Sequence, residues 1–138
     1  MDKALNYMAL AKKGRLIELG EEPVGAVARA VKARLVVVAG DASDHTWRRA
    51  KSYAAGTDQQ CVRLPFTKDE MGMATGRTSL ALAAITDAAL ALALVQALPE
   101  QEKYAEAVAV LSQKVQRQKQ RKKEAQAHKK NVRTGKKK

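Results

Sequence analysis

The sequence predicts an α/β fold: a three-layer α/β/α sandwich with a mixed four-stranded sheet, followed by a basic C-terminal tail that is helical at first and then disordered. Two observations predict the sandwich. Segments with apolar residues at helical spacing alternate in strict order with short apolar runs of strand length. One of these runs, RLVVVAG at residues 34–40, is continuously apolar and rich in β-branched residues, which indicates a strand covered on both faces.

The elements before that central strand are two helices and a short strand. Residues 4–14 have helical spacing, and we expect this helix to end at Gly14 in the left-handed conformation. A strand at residues 15–18 follows. The second helix opens with Glu21 and Glu22, whose charges favour the positive end of the helix dipole, and with Pro23, which a first turn tolerates.

The central strand is followed by a third helix and a further strand. Ser43 or Asp44 is expected to cap this helix, with Trp47 on its inward face, together with Ala50 and Ala54. Gly56 is expected to terminate the helix, and CVRL at residues 61–64 has the composition of the next strand.

A fourth helix has a strong start pattern. Thr67 and Glu70 match a capping box, while Phe66 and Met71 match a hydrophobic staple. The helix must end by Gly76, because a strand is predicted shortly afterwards.

Residues 80–98 form the one segment that has the length of a membrane span. The segment is alanine-rich, and Asp87 near its middle would be costly in lipid. A strand at about residues 80–85, in which Leu80, Leu82 and Ala84 alternate, followed by a helix capped by Asp87, explains it better. We therefore expect no membrane association. The single cysteine, Cys61, and the absence of a signal-peptide pattern favour a cytoplasmic location.

The net charge of +12 is concentrated at one end of the chain. Residues 112–138 contain twelve Lys and Arg against one acid, Glu124, a net charge of +11, whereas residues 1–111 contain fourteen basic and thirteen acidic residues, a net charge of +1. The tail has few apolar residues to bury; we expect a helix from about Glu100 and disorder from Lys129. It is either a solubilising extension or an electrostatic arm that binds phosphates.

Known catalytic and nucleotide-binding patterns are not matched. MGMATGRTS at residues 71–79 resembles a phosphate-binding loop, but it has three residues between its glycines and lies between a helix and a strand, the reverse of the required order. His45 and His128 are far apart, and no Cys or His stands at metal-ligand spacing from either. Asp41 and Asp44 are explained by a helix start. We therefore expect no enzyme activity, no cofactor and no metal.

Two longer stretches carry a resemblance to a known family. They are KKGRLIELGEEPVGAVARAVKARLVVVAGDASDHT and LPFTKDEMGMATGRTSLALAAITD. Their GEE helix opening, the strand that ends in A-G-D-A-S and the M-G-x-A-x-G run resemble the kink-turn RNA-binding ribosomal proteins, the L-seven-Ae / L-thirty-e group, in particular its small bacterial members. The match covers about residues 4–98, so we expect residues 1–98 to form the domain and residues 99–138 a basic extension.

The resemblance implies binding to a sharply bent RNA without chemistry. In the family, the amino end of the second helix enters the RNA major groove, and the loop after the fourth helix covers extruded bases. Carried over to this chain, these surfaces are Gly20, Glu21, Glu22 and the next turn to Ala26, and the loop Met73, Ala74, Thr75, Gly76, Arg77 and Thr78. The residues themselves leave a second interpretation open, in which this loop only ends a helix and leads into a strand.

Three cations near Gly14 complete the predicted RNA-binding set. Lys12, Lys13 and Arg15 either contact phosphates beside the second helix or form an ordinary solvated helix end.

The chain departs from the family pattern G-x-N-E-x-x-K at the second helix. Glu22 stands in place of the Asn, Pro23 in place of the Glu and Ala26 in place of the Lys, and Met73 replaces a frequent arginine. We therefore expect weaker binding or a different RNA. The leading hypothesis is an RNA-binding, ribosomal-protein-like function with RNA, and potentially the ribosome, as partner. The alternative is a protein-interaction module of the same fold.

Overall fold

The protein has the predicted α/β/α sandwich architecture. The computed structural model describes the backbone of residues 2–134 and the side chains of residues 2–127. Its elements, in chain order, are α1 (Lys3–Lys13), β1 (Ile17–Leu19), α2 (Glu21–Arg29), β2 (Leu35–Val38), α3 (Asp44–Ala54), β3 (Gln60–Arg63), α4 (Lys68–Thr75), β4 (Leu82–Ile85), α5 (Ala88–Gln96), a 3₁₀ turn (Gln101–Tyr104) and α6 (Ala105–Thr134).

The four strands form one mixed sheet in the order β1-β4-β2-β3. β4 is antiparallel to both β1 and β2, whereas β2 and β3 are parallel. The registers pair Val38 with both Leu82 and Arg63 at one end, and Leu35 with both Ile85 and Gln60 at the other. The term upper end is used below for the end of the sheet that contains Val38 and Arg63, the last residues of β2 and β3. The opposite end, which contains Leu35 and Gln60, is called the lower end.

Helices cover both faces of the sheet. α2 and α3 pack against each other and against the strands on one face, while α1 packs against α4 and α5. All four residues of β2 are buried, as expected for a central strand. All four residues of β4 are also buried, so the predicted alternation of its side chains is wrong. The reason is that β4 is the other central strand, with helices on both of its faces.

Local capping chemistry explains where the helices begin. The Ser43 hydroxyl, rather than Asp44, caps α3 by accepting from the Thr46 N–H. Thr67 and Glu70 form the predicted capping box, and the Asp87 carboxylate caps α5 by accepting from the Leu90 N–H at 2.9 Å. Each device satisfies amide groups that would otherwise have no partner within the helix.

The end of α1 differs from the prediction. Gly14 has a φ of −84°, and the left-handed position falls one residue later, at Arg15, with a φ of 57°. The Gly14 and Arg15 N–H groups bond back to the Leu10 and Lys12 carbonyls, which closes the helix one residue before the chain reverses.

Trp47 is only partly buried, in contrast to Ala50 and Ala54 on the same helix, which are buried as predicted. Its indole lies between two cations: Lys51 Nζ is 5.2 Å and the Arg63 guanidinium 5.1 Å from the ring centroid. The residue therefore belongs to a cation–π cluster at the edge of the sheet.

The core continues past residue 98, where the sequence analysis placed the domain boundary. Tyr104, Ala107 and Leu111 are buried in the same apolar cluster as the sheet. α6 packs against α5 and β3 through these residues. Helical backbone continues through Lys129, the predicted start of disorder, to Thr134, and residues 135–138 lie outside the described part.

Candidate nucleic-acid interface

The amino end of α2 lies at the upper end of the sheet and presents uncapped backbone. Gly20 is its N-cap residue, with a φ of 94° that favours glycine, and no side chain bonds to the first-turn amides. Pro23 lacks an N–H, so the donors of this turn are the amides of Glu21 and Glu22. Such a turn binds acceptor atoms of a ligand, including phosphate oxygens.

The α4–β4 loop lies at the same end and folds tightly on itself. Gly76 ends α4 in the left-handed conformation, with a φ of 79°. A Cβ on Gly72 would lie 2.7 Å from the Arg77 carbonyl oxygen and 2.8 Å from the Ser79 amide nitrogen. The absence of a side chain at Gly72 therefore lets the loop pack against its own helix.

The six predicted loop residues divide into accessible and inaccessible ones. Met73 is 77% exposed, and Arg77 and Thr78 are also exposed. Ala74 is only 8% exposed and Thr75 only 2%, and the Thr75 hydroxyl donates to the Met71 and Gly72 carbonyls. The side chains of Ala74 and Thr75 are thus turned into the fold, so contact of these two residues with RNA would be through their backbone.

Arg77 joins the loop to the amino end of α2. Its Nη1 atom is 3.5 Å from the position a Cβ on Gly20 would occupy. The exposed guanidinium therefore lies beside the uncapped first turn of α2, and the start of α2 and the α4–β4 loop form one surface. A phosphate at this place would meet both a charged fork of donors and backbone N–H groups.

A polar cavity adjoins this surface between α2 and α3. It has a volume of about 630 Å³ and is lined by Glu21, Glu22, Gly25, Arg29, Arg49 and Tyr53. Arg49 Nε is 2.6 Å from the Glu21 carboxylate, and both side chains are about half exposed. Arg49 and Tyr53 were missed by the sequence analysis, because only the packing of α3 beside α2 brings them to this place.

The predicted cations near Gly14 lie elsewhere. Lys12, Lys13 and Arg15 precede β1. The Leu16 N–H donates to the Ala11 carbonyl, and the Leu16 carbonyl accepts from the N–H of Thr86, which follows β4. These contacts place the three cations at the lower end, opposite Gly20 and Arg77. Because the whole of β1 separates them from the amino end of α2, they are not part of the surface formed by Gly20 and Arg77.

The upper end is rich in carboxylates. Glu21 and Glu22 are exposed on α2. Ala26 is also exposed but has no positive charge to balance them. Asp41, Asp44, Asp69 and Glu70 lie in the turns after β2 and around the start of α4, and one Asp41 oxygen accepts from the Lys68 N–H at 2.8 Å. The surface around Arg77 is therefore of mixed charge, which limits nonspecific attraction of polyanions.

Comparison with solved structures supports the fold. One match is a protein of unknown function from Bacillus halodurans, with a TM-score of 0.67 and 22% identity over 72% of this chain and 100% of that chain. Another is the Giardia lamblia 15.5 kD RNA-binding protein, with a TM-score of 0.58 and 20% identity over 72% of this chain and 84% of that chain. No family model matches the chain, and neither does any curated protein. At these identities the shared property is the fold.

Within residues 2–127, no group of three or more His, Cys, Asp or Glu side chains is placed to hold a metal ion. Burial raises the pKa of the Cys61 thiol to about 12, so this thiol stays protonated at neutral pH. Among the described helices, none combines the length and hydropathy needed to cross a bilayer.

Proposed function

We propose that the protein is a non-catalytic RNA-binding protein that recognises a bent RNA of the kink-turn type through the upper end of its domain. The observation that carries this proposal is the position of the Arg77 guanidinium beside Gly20, which makes one surface from the α4–β4 loop and the uncapped start of α2. The shared fold with an RNA-binding protein from Giardia lamblia supports it.

Each exposed part of this surface has a role that fits folded RNA. The first-turn amides of α2 meet phosphate or base acceptors, and Arg77 stacks on a base or pairs with a phosphate. Met73, the most exposed large apolar side chain described, packs on a base that has left its stack. The mixed charge favours a partner that is recognised by shape over one that is attracted by charge alone.

The test is a titration of the full chain with a kinked RNA and with a straight duplex of equal length, at two salt concentrations. We expect preference for the kinked RNA, and we expect Arg77→Ala to reduce this preference by about five- to 150-fold, the effect of losing about 1–3 kcal/mol of specific contact. Arg48→Ala, which removes an equal charge from an exposed site on α3, is the matched control. Equal affinity for the two RNAs would disprove the proposal.

A second candidate function, a protein-interaction module, is favoured by one observation. The Glu21–Arg49 pair and the cavity beside it form a polar groove without excess positive charge. If Glu22→Ala and Arg77→Ala leave RNA binding unchanged and abolish capture of a defined protein partner, this second function replaces the first.

A further inference from the structure

α6 runs down the edge of the sheet and leaves the domain at the lower end. The Tyr104 hydroxyl, just before α6, donates to the Arg63 carbonyl at 3.3 Å, at the upper end of β3. Ten residues later, Lys114 forms an ion pair with Asp58, which precedes β3 at the lower end. α6 is therefore antiparallel to β3, and it covers the height of the sheet in about 15 Å at a rise of 1.5 Å per residue.

The part of α6 beyond Lys114 projects from the domain as a basic rod. From Lys119 to Ala127 every side chain is exposed. A helix extends about 20 Å over the thirteen residues from Lys114 to Ala127. The projecting segment carries five described cations, Arg117, Lys119, Arg121, Lys122 and Lys123, and one acid, Glu124.

The lower end of the domain adds cations to this rod. Lys12 and Lys13 are the last residues of α1, Arg15 follows that helix, and Lys32 follows α2. All four are exposed, and none forms an ion pair with another described residue. Both carboxylates at this end are already engaged. Asp58 is paired with Lys114, a contact that lowers its pKa, and Asp87 caps α5. The uncompensated positive charge of the domain therefore lies at the end opposite Arg77.

The chemistry of this surface fits a nucleic-acid duplex better than a membrane surface or an unpaired strand. Residues 116–127 have two alanines as their only apolar side chains, so the rod lacks the apolar face of a helix that lies on a membrane. The tail from residue 112 contains no Phe, Tyr or Trp, and the projecting segment through Ala127 has no aromatic ring on which unpaired bases could stack. Cations distributed around a rod instead suit the regularly spaced phosphates of a duplex.

We propose that the lower end, formed by Lys12, Lys13, Arg15 and Lys32 with the projecting segment of α6, is a second nucleic-acid surface that binds double-stranded RNA apart from the RNA held at the upper end. Together with the proposed function, this makes the protein a bridge between two RNA segments. The two surfaces lie at opposite ends of the sheet, so an RNA held at the upper end leaves the lower end open to a second RNA segment.

The test is a two-RNA capture experiment with the full chain. The kinked RNA is immobilised and loaded with protein, unbound protein is washed away, and a labelled straight RNA duplex is added. We expect the wild-type complex to retain the duplex. Two variants should reduce retention by at least about tenfold through lost phosphate contacts: K12Q/K13Q/K32Q, and R117Q/K119Q/R121Q/K122Q/K123Q, in which glutamine preserves helix propensity. Arg15 is left unchanged because its left-handed backbone would complicate a substitution.

The controls separate this inference from net charge and from the proposed function. K3Q/R48Q/K103Q removes the same charge as K12Q/K13Q/K32Q from exposed sites outside the lower end, and it should retain the duplex. Arg77→Ala should lose preference for the kinked RNA and still bind the straight duplex in solution, so failure at the upper end is recognised separately. The amount of protein loaded on the kinked RNA is measured first, and absence of loading counts against the proposed function alone. The inference is overturned if a loaded wild-type complex retains no duplex, if the K3Q/R48Q/K103Q control loses as much as the lower-end variants, or if phosphatidylserine vesicles bind the protein as tightly as the duplex does.

Discussion

The substitution Gly72→Ala tests how the α4–β4 loop is built. In an open helix this change stabilises a protein by about 1 kcal/mol, because alanine has the higher helix propensity. Here the new Cβ would lie 2.7 Å from the Arg77 carbonyl oxygen, 2.8 Å from the Ser79 nitrogen and 2.9 Å from the Ser79 Cα. All three neighbours are backbone atoms, so the loop itself must move.

The expected magnitude follows from these two opposing effects. Forced repacking of a tight contact costs about 1–3 kcal/mol, and three backbone clashes place this site in the upper part of that range. Net of the propensity gain, we expect Gly72→Ala to lower the free energy of unfolding by about 1–2 kcal/mol. Displacement of residues 77–79 also moves Arg77 away from Gly20, so selective RNA binding should fall with stability.

The assay is urea denaturation of the two proteins, combined with the kinked-RNA titration. Gly25→Ala is the matched control, because its Cβ would meet the flexible Arg29 side chain at 3.2 Å and the Tyr53 ring at 3.4 Å instead of backbone. We expect that control to be neutral or slightly stabilising. A Gly72→Ala protein as stable as wild type, with unchanged RNA selectivity, would show that the loop does not depend on this contact.

Three further predictions concern the helices and the thiol. Thr67→Ala removes the hydroxyl that accepts from the Glu70 N–H at 3.1 Å, and it should destabilise the protein by about 1 kcal/mol in urea denaturation; an unchanged midpoint would contradict the capping role. Leu111→Ala should cost about 2–5 kcal/mol, because Leu111 is 1% exposed, while the exposed Gln113→Ala should change stability by less than about 0.5 kcal/mol; equal effects would mean that α6 is not part of the core. Because the pKa of the Cys61 thiol is raised from 9.0 to about 12, its thiolate fraction at pH 8 is roughly a thousandfold below that of an ordinary thiol; native alkylation by iodoacetamide should be correspondingly slow and should become fast in denaturant, and rapid native labelling would contradict the burial.

Features determined by neighbouring residues were predictable from the sequence. The Thr67–Glu70 capping box and the Asp87 cap were found because each depends on residues three positions apart. The buried central strand was found because its composition reflects cover on both faces. The left-handed residue after α1 was predicted at Gly14, because glycine is the usual residue at that position. It lies one residue later, at Arg15.

Features determined by tertiary geometry were missed. Arg15 and Gly20 are close in sequence, but β1 carries the chain from the lower end to the upper end between them. Arg49 reaches Glu21 only because α3 packs beside α2. One missed feature did have a sequence pattern: Tyr104, Ala107 and Leu111 follow helical spacing, which could have shown that the start of the extension packs on the domain.

The contact between Tyr104 and the Arg63 carbonyl has a consequence for the solubility of shortened forms of the protein. β3 is an edge strand, α6 packs against it, and the Tyr104 hydroxyl just before α6 donates to the Arg63 carbonyl of this strand. A protein cut at residue 98 would present an open strand edge together with the apolar surface that Ala107 and Leu111 normally cover. Such edges pair readily with other chains, so a fragment ending there should self-associate, whereas one that retains residues through Lys114 should remain monodisperse.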